Sequence, residues 1–235
     1  MKKALSTFIF FVFTLAAFAQ KVINDPNVEE RSVKSFTGIS VSGGIDLYIS
    51  YGDEAVAVSA SKPEYRDNIK TEVADGVLKI YFNNKGVRFT SDRKLKAYVS
   101  YKTLKSLSCS GGSDVKVDGT IKGDKLQLNL SGGSDFKGRV DVSALTVHQS
   151  GGSDVKIEGV AKKLEIQASG GSDFKGFDLT ADVCSVHASG GSDIEITATK
   201  ELSAQASGAS DISYKGKPAL KTVKASGASS VSQKS

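Results

Sequence analysis

The sequence predicts an all-β fold: a parallel β-helix, or β-solenoid, of coils about 19–20 residues long with a β-rich N-terminal capping region. Three observations predict it. The string Ser-Gly-Gly-Ser-Asp starts at Ser110, Ser131, Ser150, Ser169 and Ser189, returns as Ser-Gly-Ala-Ser-Asp at Ser207, and decays to Ser-Gly-Ala-Ser-Ser at Ser226, in steps of 21, 19, 19, 20, 18 and 19 residues. Between the strings, apolar and polar residues alternate as in a half-buried strand. Glycine is abundant, at 24 of 235 residues, whereas proline occurs 3 times and tryptophan is absent. That composition suits strands joined by tight corners.

Residues 1–19 read as a signal peptide. Lys2 and Lys3 form a positive start, Phe8 to Phe18 an apolar run too short to span a bilayer comfortably, and Ala17-Phe18-Ala19 a cleavage site before Gln20. The mature chain would be exported, to the periplasm, the outer-membrane surface or the medium, with no integral membrane segment left after cleavage. Removing 19 of 235 residues leaves 216, and losing two of the 31 basic residues leaves 29 against 26 acidic, or +3. So small a charge, with mixed signs along the chain, argues against nucleic acid as a partner.

Residues 20–105 are expected to form the cap. Phe36 to Val41, Ile45 to Ser50 and Ala55 to Ala60 read as strands, and Thr71 to Ala74 and Val77 to Phe82 flank Asp75-Gly76, a two-residue hairpin signal. Ser42-Gly-Gly-Ile-Asp46 reads as a distant early copy of the repeated string. The runs Phe36-Thr-Gly-Ile-Ser-Val-Ser-Gly-Gly-Ile-Asp-Leu-Tyr-Ile-Ser-Tyr-Gly-Asp53 and Thr71-Glu-Val-Ala-Asp-Gly-Val-Leu-Lys-Ile-Tyr81 resemble the putative auto-transporter adhesin, head GIN domain family. The repeated Ser-Gly-(Gly/Ala)-Ser-Asp strings are similar to that family too. The signature tripeptide here reads Gly44-Ile45-Asp46, with aspartate in place of asparagine. The resemblance implies an exported β-solenoid, and its adhesin name is a label of shape that identifies no ligand. No membrane barrel follows the repeats before Ser235, so transport unaided by other proteins is not expected.

Residues 106–235 are expected to form the repeats. Relative to the first serine of each string, one parity is apolar. Leu126, Leu145, Leu164, Cys184 and Leu202 stand five residues before it, and Val115, Phe136, Val155, Phe174, Ile194 and Ile212 five after. The same parity carries Leu107 to Val223 three before, Cys109 to Ala225 one before, and the second serine of each string. These columns should face inward. Cys109 and Cys184 therefore read as core filler about four coils apart, roughly 19 Å at ~4.8 Å per coil, too far for a disulfide. Gly119, Gly138, Gly159, Gly176 and Gly216 signal a second corner. The crossover rule for parallel strands favours right-handed winding.

The outward columns carry the candidate sites. Asp114, Asp135, Asp154 and Asp173 are followed two residues later by Lys116, Lys137, Lys156 and Lys175, which reads as a self-neutralising surface needing no metal or other cofactor. Stacked carboxylates suggest calcium instead at Asp193, where Glu195 replaces the lysine. The strand before the string presents Gln127 and Asn129, Thr146 and His148, Glu165 and Gln167, Ser185 and His187, Ser203 and Gln205, then Thr222 and Lys224. Such a polar face could bind an extended glycan or peptide, or serve only as strand surface with amide ladders. His148 and His187 are two coils apart, about 10 Å, too far to share a metal. No nucleophile, base and orienting group converge at a readable spacing. The sequence thus points to a non-enzymatic, adhesin-like module that binds glycan, cell-envelope material or protein. The alternatives are a purely structural envelope protein and a β-helix enzyme acting on polysaccharide, the latter short of the long loops a catalytic cleft needs.

Overall fold

A computed structural model describes residues 25–86 and 92–235, so the signal-peptide reading lies outside the described residues. The chain forms a β-solenoid of about seven turns. Its strands are β1 (Glu29–Arg31), β2 (Gly38–Ser42), β3 (Asp46–Tyr51), β4 (Ala55–Ser59), β5 (Ile69–Ala74), β6 (Val77–Phe82), β7 (Lys96–Tyr101) and β8 (Ser106–Ser110). Then come the long strands β9 (Asp114–Leu130), β10 (Asp135–Gln149), β11 (Asp154–Ala168), β12 (Asp173–Ala188) and β13 (Asp193–Ala206). The short strands β14 (Asp211–Lys215), β15 (Leu220–Ala225) and β16 (Ser230–Gln233) close the stack, and a short helix, α1, spans Pro63–Arg66.

Each long strand is one coil, bent round the core and ended by the repeated string. Successive coils pair in parallel with the strings in register: Asp114, Asp135, Asp154, Asp173, Asp193 and Asp211 are neighbours in turn. At the corner the first glycine has a positive φ, and one coil's backbone hydrogen-bonds to the last, as Gly171 N–H to Gly151 O at 2.8 Å and Gly191 N–H to Gly170 O at 2.7 Å. The second serine lies inside this corner. Ser113, Ser134, Ser153, Ser172, Ser192 and Ser210 are all fully buried. Four of their hydroxyls donate across the corner, Ser134 to Ser131 O at 3.0 Å, Ser172 to Ser169 O at 3.2 Å, Ser192 to Ser189 O at 2.9 Å and Ser210 to Ser207 O at 2.8 Å. Ser113 Oγ instead accepts from the Ile45 amide, and Ser153 Oγ has no partner among the described residues. A hydroxyl that closes its own turn satisfies a backbone carbonyl that burial would otherwise orphan.

The early copy of the string stands where the repeat predicts. Ser42 pairs with Ser110, Leu47 with Val115, and the Ile45 amide donates to Ser113 Oγ at 3.0 Å. The order of layers is not the order of the chain, however. β2 lies between β6 and β8, and β3 between β7 and β9, all parallel. The chain therefore begins at the outer edge in β1, enters an inner layer in β2 and β3, moves outward through β4 and β5, and returns through β7 to β8. β4 runs antiparallel to β7, β5 to β6 and β1 to β4. These reversed strands cover the edge that the parallel stack would otherwise expose.

The inward columns are buried as their parity predicts, with two corrections. In the last coil Val223 is 39% exposed and Ala225 is also exposed, because that coil has a neighbour on one side only. The second-corner glycines are of two kinds. Gly119, Gly159 and Gly216 have positive φ, but Gly138 and Gly176 do not. A Cβ on Gly138 would lie 2.9 Å from Phe136 Cζ, and one on Gly176 2.4 Å from Phe174 Cε1. Those two glycines make room for phenylalanine rings.

Close stacking at the motif corner predicts a contrast between adjacent glycines. At Gly170, with φ +82°, a Cβ would meet Gly151 O at 2.7 Å, whereas at Gly171 it would meet nothing within 4 Å. Gly170→Ala should cost about 2 kcal/mol or more, and Gly171→Ala less than about 1 kcal/mol. Urea unfolding of the two variants measures the difference. Equal midpoints would mean that the corners are not packed backbone on backbone.

Candidate binding groove

Two outward columns flank the approach to the motif corner. One is the first serine of each string. The other lies two residues earlier and runs Ser108, Asn129, His148, Gln167, His187, Gln205, Lys224 in continuous register. Both have the outward parity, and the residue between them points into the core. A groove of about 1230 Å³ therefore runs along the solenoid axis, with serine hydroxyls on one wall and amides and imidazoles on the other. It crosses seven serines, from Ser110 to Ser226.

Of the residues singled out from the sequence, Asn129, His148, Gln167 and His187 line this groove. Gln127, Thr146, Glu165 and Ser185 share the sheet face but stand two residues farther from the corner, outside it. Gln205 and Lys224, from the same outward column, line the groove too; sequence reasoning missed the serine wall. The signal was present in the parity that the first serine shares with the polar column, but its recurrence served only to set the register.

The wall is partly bonded to itself. Gln127 Nε2 donates to Asn129 Oδ1 at 3.1 Å, Asn129 Nδ2 to Ser108 Oγ at 3.3 Å, and His148 Nδ1 lies 3.1 Å from Asn129 Oδ1. Farther along, Gln167 Nε2 donates to Glu165 Oε1 at 3.2 Å. The side chains of His187 and Gln205 have no hydrogen-bond partner among the described residues. Ser169, Ser189 and Ser207 donate to carbonyls one coil back at a long 3.4 Å.

The charged columns lie beyond the corner. In-register stacking sets aspartate on aspartate and lysine on lysine. Of the four lysines, only Lys175 pairs within its coil, 3.5 Å from Asp173, among the described residues. The aspartates also reach to the next coil: Asp211 Oδ1 accepts from Ser230 N–H at 3.2 Å and Ser230 Oγ at 2.7 Å. Burial, and then the neighbouring Asp46, raises the Asp114 carboxyl above its usual range, although the Asp135 amide and Lys116 oppose this. Glu195 stands between Lys175 and Ser213, and Asp193 between Asp173 and Asp211. Among the described residues no three His, Cys, Asp or Glu side chains gather closely enough to hold a metal ion.

Both cysteines are free and buried. Burial pushes each thiol up to about 12 from 9.0, and the Cys109 Sγ donates to Ser113 O at 2.7 Å.

The family profile described as putative auto-transporter adhesin, head GIN domain, matches residues 35–218, which span both the N-terminal layers and the repeats. The chain belongs to this family. Its fold is shared by solved structures. One is a putative adhesin from Bacteroides fragilis, 23% identical, with a TM-score of 0.78 over 88% of this chain and 96% of that one. Another is a putative adhesin from Parabacteroides distasonis, 24% identical, with a TM-score of 0.70 over 88% and 96%. A third is a putative lipid binding protein from Parabacteroides distasonis, 21% identical, with a TM-score of 0.66 over 90% and 98%. No curated protein matches the sequence. In this family member the signature tripeptide Gly44-Ile45-Asp46 forms the corner of the early coil, with Ile45 fully buried and Asp46 beside Lys96.

Two predictions follow from the ionisable groups. A thiol that is harder to ionise when folded contributes its full stability below its unfolded pKa and loses it as pH rises through the folded value. Stability should therefore fall between about pH 9 and 12. The Cys109→Ala, Cys184→Ala double variant should flatten that decline, as read by urea unfolding across the pH series. Alkylation of the native protein at pH 8 should be slow, with two thiols modified after denaturation. For calcium, the expected result is an unchanged melting temperature with chelator or millimolar calcium. A logarithmic rise with calcium, abolished by Asp193→Asn with Glu195→Gln, would instead mark a bound ion.

Proposed function

We propose that this protein is an exported, non-enzymatic binding module that holds an extended ligand of the cell envelope lengthwise in the groove beside the motif corner. The observation that carries this reading is the continuity of the groove over seven serines, with a hydrogen-bonding side chain opposite at each step. A groove that repeats with the coil suits a polymer better than a compact small molecule, because each added ligand unit meets an equivalent set of groups. The coils are uniform in length and the two groove histidines are separated by Gln167. That favours binding over catalysis, which needs unlike groups converging on one point. The family's adhesin description agrees with a binding role, and the leader-like residues 1–19 agree with export.

The test is sedimentation of the purified protein with envelope fragments of its own cells. Ser169→Phe with Ser189→Phe would fill the groove from exposed and half-buried positions without touching the core. The double variant should lose about tenfold or more in affinity, while Lys156→Ala, on the charged face, should bind as the wild type does. Equal sedimentation of all three proteins would refute the groove as the binding surface.

A further inference from the structure

We infer that the ligand of this groove is a linear, uncharged, hydroxyl-rich polysaccharide lying along the solenoid axis, an inference that rests on the binding reading above. Three properties of the groove select it. The first is charge. No carboxylate and no arginine line the groove, and Lys224 in the last coil is its one lysine. A polyanion or polycation would give up its hydration and find almost no countercharge. A neutral polymer meets no such penalty.

The second property is the kind of hydrogen bond on offer. Asparagine, glutamine, neutral histidine and serine each both donate and accept. A sugar hydroxyl does the same, so each rung can pair with it in either sense. His187 and Gln205, without partners among the described residues, are the rungs most open to a ligand.

The third property is spacing. Rungs recur every ~4.8 Å along the axis. An extended peptide laid along the same axis repeats on one side only every two residues, about 6.6 Å, and falls out of step within two or three rungs. A pyranose linked through opposite corners of its ring advances by close to one rung per sugar, and because successive rings turn over, the same edge returns about every second rung, still in step with the stack. An acyl chain would fill the length, but it would leave the hydroxyl and amide walls unpaired against hydrocarbon.

No phenylalanine, tyrosine or tryptophan lines the groove, so it offers no broad stacking platform for a sugar face, and affinity must accumulate rung by rung. Net gains of roughly 0.5–1 kcal/mol per rung correspond to about two- to fivefold in affinity per added sugar. The increase should level off near seven sugars, where the rungs end.

The experiment is isothermal titration of the protein with neutral linear oligosaccharides two to eight sugars long, drawn from glucose-, mannose-, xylose- and N-acetylglucosamine-based series. Matched galacturonate oligomers, an extended Ser/Gly peptide and phospholipid vesicles serve as the other probes. The expected result is binding of at least one neutral series, with affinity climbing with length and little changed by salt. His187→Ala with Gln205→Ala, which removes hydrogen bonds without filling the groove, should weaken it about fivefold or more, with the fold verified by circular dichroism. Binding that is independent of length beyond two sugars would overturn the lengthwise arrangement. Groove-dependent binding of the galacturonate, peptide or vesicles in place of neutral sugars would overturn the ligand class and leave the groove reading standing. So would silence from every neutral series while envelope sedimentation remains groove-dependent. Sedimentation indifferent to both groove variants would overturn the groove reading and this inference together.

Discussion

In-register parallel pairing is the interaction on which everything else in this molecule depends. From β9 to β13 most residues sit on their counterparts in the coil before, ~4.8 Å away, with the register shifting at and just after the second corner. A side chain must therefore be compatible with its own copy above and below. This selects small hydroxyls for the inside of the corner, where Ser172 and Ser192 approach to 3.3 Å and each also donates to the carbonyl three residues back. It selects glycine where one corner's backbone rests on the next, with Gly151, Gly170, Gly190 and Gly208 within reach of one another in turn.

The core meets the same constraint by exchanging volume between columns. Coils with Phe136 or Phe174 carry Gly138 or Gly176 two residues later. Coils with Val155 or Ile194 carry Ile157 or Ile196 there. In register these alternate, so a large ring over a glycine faces two medium side chains in the adjacent coil. The ring of one coil thus takes up space that its own glycine leaves free, as close packing requires. Gln149 is the exception in a column of Cys109, Leu130, Ala168 and Ala188. Its Nε2 donates to Ser153 O at 3.0 Å and Asp173 O at 2.9 Å, yet its Oε1 and the Ser153 hydroxyl remain buried without partners.

How much of this was legible follows from range. The corner, the inward columns and the Asp75-Gly76 hairpin each depend on contacts within a coil or with its copy, so periodicity reveals them. Asp75 and Gly76 indeed take φ of 53° and 72° between β5 and β6. The distinction between Gly138 and Gly119 depends on which neighbour fills the space, and a glycine in a sequence does not say whether it serves a turn or a ring. The insertion of β2 between β6 and β8 was illegible for a related reason. Before the repeats become regular, no period exists to order the layers. The groove was half legible. His148 and Gln167 were visible as an outward column, but the serine wall was hidden by its use as the register mark.

The outward columns show how the stack tolerates charge, and why one column avoids it. Like charges ~4.8 Å apart repel. At its two ends the aspartate column accepts hydrogen bonds from the next coil, Asp114 from the Asp135 amide and Asp211 from Ser230. The lysines project from exposed positions where water screens them. The column through Asn129, His148, Gln167, His187 and Gln205 uses neither device. Its groups can donate to one copy and accept from another, as Asn129 does between Ser108 and His148. Such a ladder is self-compatible without charge, and at His187 and Gln205 it remains unfilled among the described residues. A surface built this way offers the same weak pairing at every step. Under the binding role proposed above, it would discriminate between ligands by repeat spacing and length, because no single rung carries enough energy to decide.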